Sequence, residues 1–167
     1  MVGELPPVDQ HLEILADAGH GKSSHLLALA RVHPDARYIY VPEGESRIDT
    51  TPVPLLLLDE AQRVRSRLLR RLVAAGTTLV MGTHEPMAPR LRTTVRRWSL
   101  PELTLDRLRA IVERRIDYAR AAEGSCLQIS DDTLLSLIAQ FQGNIRAIED
   151  ALYDRVQDAL EEQRVEL

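Results

Sequence analysis

The segment HLEILADAGHGKSS, residues 11–24, determines how the rest of the sequence is interpreted. Its first five residues have the apolar character of a short strand, and its last residues open a helical pattern. Glycines between a strand and a helix let backbone amides turn inward, where they and the helix N-terminus favour a negative charge. The segment Ala16–Ser24 is therefore predicted to be a phosphate-binding loop.

The loop offers the groups that a nucleotide phosphate requires. Lys22 can reach the outer phosphates, and the hydroxyl of Ser23 can ligate magnesium. Lys22 is also the only lysine among 21 basic residues. Ala16 stands where the usual G-x-x-x-x-G-K-S/T pattern begins with glycine, and an ordinary glycine turn before a helix is the alternative. The residues expected to bind the nucleotide are Ala18, Gly19, His20, Gly21, Lys22, Ser23 and Ser24.

An acidic pair follows a second apolar run. The unbroken leucines of residues 55–58 are typical of a strand that is buried on both faces of a parallel sheet. Nucleotide hydrolysis needs a carboxylate for the metal and a group that activates water. We expect Asp59 to hold magnesium together with Ser23, and Glu60 to polarise the attacking water. The alternative is a pair of solvated acids that cap the next helix.

Short apolar runs alternate with longer helical periods, which is the pattern of an α/β domain. The sequence predicts a compact αβα sandwich with a parallel sheet over residues 1–102, and an α-helical lid over 103–167. Strands are predicted at residues 11–15, 36–41, 55–58, 77–82 and 94–100, and helices at residues 23–31 and 62–75. In the lid, Thr104 and Ser130 are predicted N-caps, and Gly143 and Asn144 separate helices at 131–141 and 145–160.

Beyond the loop and the acidic pair, the segments MGTHEP at 81–86 and GNIRAIED at 143–150 complete a recognisable set. From Ala16 to the end of the lid, the chain resembles the AAA+ family of P-loop ATPases. It is most similar to the branch of initiators, helicase loaders and transposition or secretion ATPases with a DEAQ motif. The resemblance implies an enzyme that binds Mg-ATP and hydrolyses its phosphoanhydride bond.

The resemblance also implies roles for polar residues outside the loop. A family residue that senses the γ-phosphate corresponds to Thr83 or His84, for which a simple strand-end turn is the alternative. A second sensor, an arginine that opens a late lid helix, corresponds to Arg146. An arginine finger that faces the neighbouring subunit corresponds to Arg92, with Arg90 in reserve. The alternative for Arg146 is a solvated arginine at the start of a helix, and for Arg90 and Arg92 it is a solvated or DNA-facing surface.

The charge is distributed unevenly along the chain. The net charge of −4 consists of −6 over residues 1–60, +9 over 61–120 and −7 over 121–167. The basic middle could meet anionic ligands, nucleic acid or an acidic neighbouring subunit. A solvated face explains the arginines of its predicted helix better than contact with a phosphate backbone does. These arginines are Arg63, Arg65, Arg67, Arg70 and Arg71.

Composition narrows the class of protein further. No run approaches the roughly 20 apolar residues of a membrane span, and no secretory signal is recognisable, so we expect a soluble cytoplasmic protein. Cys126, the only cysteine, cannot form an internal disulfide, and we assign it no chemistry. The expected partners are copies of the chain or other ATPase subunits, and a DNA or protein client. The alternative function is a non-hydrolysing nucleotide switch or a degenerate scaffold that mediates protein contacts.

Overall fold

The computed structural model describes residues 5–49, 51–119 and 128–165, with side chains to residue 158. Cys126 lies outside the described residues. The chain forms two compact units, of which the first ends at Pro101 and the second begins at Glu102. No helix in the described ranges is long and apolar enough to cross a bilayer.

The first unit contains a five-stranded parallel sheet, as the sequence predicts. Its strands are β1 (Leu12–Leu15), β2 (Arg37–Tyr40), β3 (Leu55–Asp59), β4 (Thr78–Thr83) and β5 (Arg96–Trp98). Their order across the sheet is β2-β3-β4-β1-β5, and each neighbouring pair is parallel. Parallel strands bring their carboxyl ends to one edge, so the segments that follow β1, β3 and β4 converge there.

Helices cover both faces of this sheet. Because successive strand residues point to opposite faces, β3 and β4 contribute to two separate clusters. Leu57 and Val80 pack with helix α1 (Lys22–Val32) on one face. On the other face, residues of β3 and β4 pack with helices α2 (Ser66–Ala74) and α3 (Ala88–Leu91). The predicted αβα sandwich is confirmed.

The helix predicted at residues 62–75 is shorter than expected. A 3₁₀ turn at Ala61–Arg63 comes first, and α2 begins at Ser66. The guanidinium of Arg90 donates to the carbonyl oxygens of Gln62 at 2.5 Å and Val64 at 2.6 Å. These two carbonyl oxygens therefore accept hydrogen bonds from a side chain that lies 28 and 26 residues further along the chain, instead of from helical amides. A tertiary contact therefore overrides the helical period at this end.

The second unit is helical. Its helices are α4 (Leu105–Ala119), α5 (Asp131–Gln140) and α6 (Ile145–Val165), which pack around a core of Leu108, Val112, Leu134, Leu137, Ile148 and Leu152. The predicted N-caps are confirmed, since the Thr104 hydroxyl accepts from the Arg107 amide and the Ser130 hydroxyl accepts from the Thr133 amide. Gly143, at φ 76°, lies before α6. The Asn144 side chain caps the N-terminus of α6 by accepting a hydrogen bond from the Ala147 amide.

The cap at Ser130 yields a stability prediction. Ser130→Ala removes the acceptor for the Thr133 amide and is expected to lower the free energy of unfolding by about 1 kcal/mol. Ser136→Ala, an exposed substitution inside α5, is the control and should be neutral or slightly stabilising, because alanine favours helix. Urea unfolding monitored by circular dichroism gives both values. Equal effects of the two substitutions would contradict the capping role.

Candidate functional site

The loop between β1 and α1 is shaped by two glycines. Gly19 and Gly21 have φ values of 83° and 92°, in the left-handed region that residues with a Cβ atom rarely adopt. Gly21 is the N-cap of α1, and no side chain caps the helix. The amides of the first turn have no acceptors within the helix. This end of α1 therefore has the geometry that accepts an anion.

The side chain of Lys22 lies inside this loop. It is only 5% exposed, and its Nζ donates to the carbonyl oxygens of Ala16 at 2.8 Å and Asp17 at 2.9 Å. His84 Nε2 is 3.3 Å from the same nitrogen. The ammonium group thus sits where the loop meets the end of β4.

The remaining loop residues lie closer to solvent. Ala18, Ser23 and Ser24 are exposed, and Gly19 and His20 are half-buried. The Nδ1 atom of His20 is 3.1 Å from the carbonyl oxygen of Ala18, which bends the loop back on itself. Except for the buried Lys22, the predicted nucleotide-binding residues are therefore exposed or half-buried.

A glycine in β4 lets α1 pack against the carboxyl edge of the sheet. Gly82 pairs with Ile14 of β1 and with Asp59 of β3. A Cβ atom at Gly82 would lie 2.9 Å from Leu26 Cδ1 and 3.1 Å from Asp59 Oδ1, with the Lys22 Cβ atom 3.6 Å away. The lysine and the aspartate are therefore brought together across the space that this glycine leaves.

Asp59 has one oxygen bound and one unbound. The residue is 1% exposed, and its Oδ2 accepts a hydrogen bond of 2.9 Å from the Tyr38 hydroxyl. Its Oδ1 is buried and has no hydrogen-bond partner among the described residues. Buried acceptors without partners are rare in folded proteins and often mark the place of a water or an ion.

Among the described residues, Asp59 offers one buried carboxylate oxygen, Oδ1, to a cation. Magnesium is usually held by one or two carboxylates, phosphate oxygens and water, rather than by a cage of protein ligands. Over the described ranges, no group of three or more His, Cys, Asp or Glu side chains could hold a metal ion. Asp59 and the exposed Ser23 would hold the ion, and the phosphates would supply the ligands that the chain lacks.

Glu60 is held by several polar groups. Its backbone is left-handed at φ 63°, and its Oε2 accepts from Gln62 at 2.7 Å. Arg63 forms an ion pair at 3.3 Å with Oε2, and His84 Nε2 is 3.3 Å from Oε1. Burial by itself raises the pKa of Glu60, but the Gln62 hydrogen bond and the charges of His84 and Arg63 outweigh it and lower the pKa. The carboxylate is therefore ionised at neutral pH.

Thr83, the last residue of β4, and His84, which follows it, have different surroundings. Thr83 is fully buried, and its hydroxyl donates to the carbonyl oxygen of Glu85 and accepts from the Glu85 amide. His84 instead lies between Lys22 and Glu60, at 3.3 Å from each. Of Thr83 and His84, only His84 is therefore in contact with Lys22 and Glu60.

The three candidate arginines have different surroundings. Arg90 is bound within its own unit by Ser66, Glu85 and two carbonyl oxygens. Arg92 ends α3 in a left-handed conformation, and its exposed side chain has no partner among the described residues. Arg146 is exposed in the first turn of α6, in the second unit.

Two polar contacts near the site escaped the sequence-based prediction. Glu13 of β1 is 2% exposed, and it accepts from the Met87 amide at 2.7 Å and from Arg97 at 2.8 Å. A charged residue between two buried residues of a strand is a signal that could have identified Glu13. Tyr38 gives no such signal, because its contact with Asp59 depends on the pairing of β2 with β3. Burial and then the Asp59 charge raise the pKa of Tyr38, so its hydroxyl remains a hydrogen-bond donor.

Comparison with known proteins adds no family assignment. No protein-family model matches the sequence, and no curated protein matches it either.

The lowered pKa of Glu60 predicts a pH-dependent contribution to stability. The folded state holds the Glu60 proton less tightly than the unfolded state, so this stabilisation is complete above the unfolded-state pKa and is lost as the pH falls through the folded-state pKa. The difference in unfolding free energy between wild type and Glu60→Gln should therefore shrink as the pH falls below 4.5. Urea titrations at a series of pH values measure this difference.

The control for this titration is Glu45→Gln. The exposed Glu45 side chain has no hydrogen bond or ion pair with any described residue. Its substitution should change the unfolding free energy little at any pH. A Glu60→Gln difference as flat as that of the control would contradict the lowered pKa.

Proposed function

We propose that the chain is an AAA+ type ATPase, which binds Mg-ATP and hydrolyses it to drive or gate assembly with protein or DNA partners. The observation that carries the proposal is the buried Oδ1 of Asp59, which has no partner among the described residues and lies beside the lysine of a glycine loop. A buried carboxylate oxygen is costly to maintain without a ligand or partner. Binding of a metal-phosphate group at this edge would account for it.

Each group of the site has a separate task in this proposal. The amides of the α1 first turn and Lys22 would bind phosphate oxygens, for which Lys22 must exchange its contacts with the Ala16 and Asp17 carbonyls. Asp59 and Ser23 would hold magnesium, which when bound neutralises phosphate charge.

Glu60 would orient and polarise the attacking water. Its lowered pKa keeps it ionised, so it can accept a hydrogen bond from that water. His84 contacts Glu60 and Lys22 at once, so a displacement of the lysine towards a phosphate would be felt at the carboxylate. We therefore assign the sensing of the outer phosphate to His84, and to Thr83 the shaping of the turn that presents it.

The exposed Arg92 is the better candidate for an arginine finger than Arg90. Phosphoryl transfer gains from a cation that neutralises charge in the transition state. The Arg90 guanidinium is already bound within its own unit, whereas the described residues give Arg92 no partner. Arg92 of one subunit would complete the site of the next.

A nucleotide switch without turnover is the second candidate. Two observations favour it: Ala16 replaces the first glycine of the loop pattern, and Glu60 is paired with Arg63. A base that is held by a cation is less free to activate water. Phosphate release by purified protein of known oligomeric state distinguishes the two candidates, since only the ATPase turns over.

Nucleotide binding can be tested through Lys22. A non-hydrolysable ATP analogue with Mg²⁺ is expected to raise the melting temperature, because it binds only the folded state. At an analogue concentration of 100 times Kd, the free energy of unfolding should rise by about 2.7 kcal/mol. Lys22→Ala should lose this shift, whereas Arg31→Ala, an exposed cation in the last turn of α1, should keep it. Differential scanning fluorimetry with and without the analogue compares the shifts. A Lys22→Ala protein that shifts as much as wild type would disprove the assignment of the loop.

A shared site between subunits can be tested by mixing variants. Arg92→Ala and Glu60→Gln are each expected to bind nucleotide but to lose turnover, by roughly 10³-fold for the arginine. Mixed assemblies would contain some sites with both an intact base and an intact finger, so activity should recover on mixing. Arg67→Ala, another exposed arginine, is the control and should keep turnover alone. If mixed oligomers form and remain inactive, the shared site is wrong.

A further inference from the structure

The hydroxyl of Tyr38 makes the hydrogen bond that orients the buried carboxylate of Asp59. We propose that Tyr38 is a positioning residue for the divalent cation: it binds one oxygen of Asp59 and so reserves the other, Oδ1, for the cation and its water. The inference rests on the proposed function, in which Asp59 holds magnesium. Tyr38 would then set how much Mg²⁺ the protein needs in order to bind nucleotide.

The two oxygens of Asp59 are chemically equivalent until their surroundings distinguish them. The terminal torsion of an aspartate side chain is broad and roughly two-fold, so the carboxylate plane is not fixed by its own rotamer. The Tyr38 donor at 2.9 Å from Oδ2 fixes it. Oδ1 then lies 3.1 Å from the position of a Cβ atom on Gly82, near the first turn of α1. A single hydrogen bond thus decides which oxygen faces the loop.

The alternative is that the hydroxyl merely fastens the edge strand β2 to the sheet. The backbone already does so, because β2 pairs with β3 over four residues, and the Val41 amide extends the pairing by donating to the Asp59 carbonyl oxygen. The aromatic ring of Tyr38 also packs against the cluster that contains Leu57. The pairing of β2 with β3 therefore does not depend on the hydrogen bond between the Tyr38 hydroxyl and Asp59.

Two substitutions on the same strand isolate this contact. Tyr38→Phe keeps the packed ring and removes only the donor to Asp59. Tyr40→Phe removes a hydroxyl whose partner is Arg63, at 3.5 Å, and is the matched control. Both retain an aromatic residue in β2, so a general loss of strand stability would affect both.

The experiment measures the affinity for a non-hydrolysable ATP analogue by calorimetry at a series of free Mg²⁺ concentrations. Loss of a group that orients a metal ligand typically weakens metal affinity by 10-fold or more, so Tyr38→Phe should need about 10-fold more Mg²⁺ for its half-maximal effect. Its affinity in excess EDTA should equal that of wild type, because the phosphate loop is unchanged. Tyr40→Phe should follow the wild-type Mg²⁺ curve.

A double-mutant cycle with Asp59→Asn separates positioning from a general effect on the fold. In the Asp59→Asn background, Tyr38→Phe should leave the Mg²⁺ dependence unchanged, because the cation ligand is already altered. An unchanged Mg²⁺ curve for Tyr38→Phe, even with a lowered melting temperature, overturns the inference alone. An equal shift in the Asp59→Asn background also overturns it. Nucleotide binding that is absent or independent of Mg²⁺ in wild type overturns the proposed function together with it.

Discussion

The burial of the Asp59 carboxylate is the constraint on which the rest of the site depends. A carboxyl group with 1% exposure loses nearly all of its hydration, and this loss must be offset by hydrogen bonds or a counter-charge. The chain offsets it for one oxygen only, through the Tyr38 hydroxyl. The described residues provide no hydrogen-bond partner for the other oxygen, Oδ1, and this is the oxygen that the proposed function assigns to a cation.

The parallel sheet explains why this demand arises at one edge. Asp59 ends β3, and β4 lies between β3 and β1, so the loop after β1 meets the acidic pair across a single strand. That strand has a glycine at the level of Asp59, and any larger residue would contact Leu26 of α1. The close approach of α1 therefore brings the loop lysine and the carboxylate to the same small volume.

The charged groups beyond Asp59 are linked through one histidine. His84 contacts both Lys22 and Glu60, and Glu60 is further held by Gln62 and Arg63. A change at any one of these groups alters the electrostatic surroundings of the others, because each lies at hydrogen-bond or ion-pair distance from the next. In the proposed function, this connectivity would link Lys22 to Glu60 through His84. It also explains why Glu60 is ionised although it is partly buried.

The sequence by itself determined most of the elements and their kind, but not the short helix α3 or the start of α2. The five strands, the caps at Thr104 and Ser130 and the break at Gly143 are each encoded within a few neighbouring residues, because apolar period, cap chemistry and glycine conformation act locally. The sequence also indicated the phosphate loop and the acidic pair, whose roles in nucleotide chemistry remain predictions.

Only the tertiary structure decided which polar groups meet. The start of α2 at Ser66 depends on Arg90, which takes the carbonyls that a longer helix would use. The contacts of His84 with Lys22 and Glu60, and those of the Arg90 guanidinium with the carbonyls of residues 62 and 64, span 24 to 62 residues. The Tyr38 hydrogen bond depends on the register between β2 and β3, which the strand patterns do not specify. Such pairings are set by how whole elements pack, and no local window of sequence contains both partners.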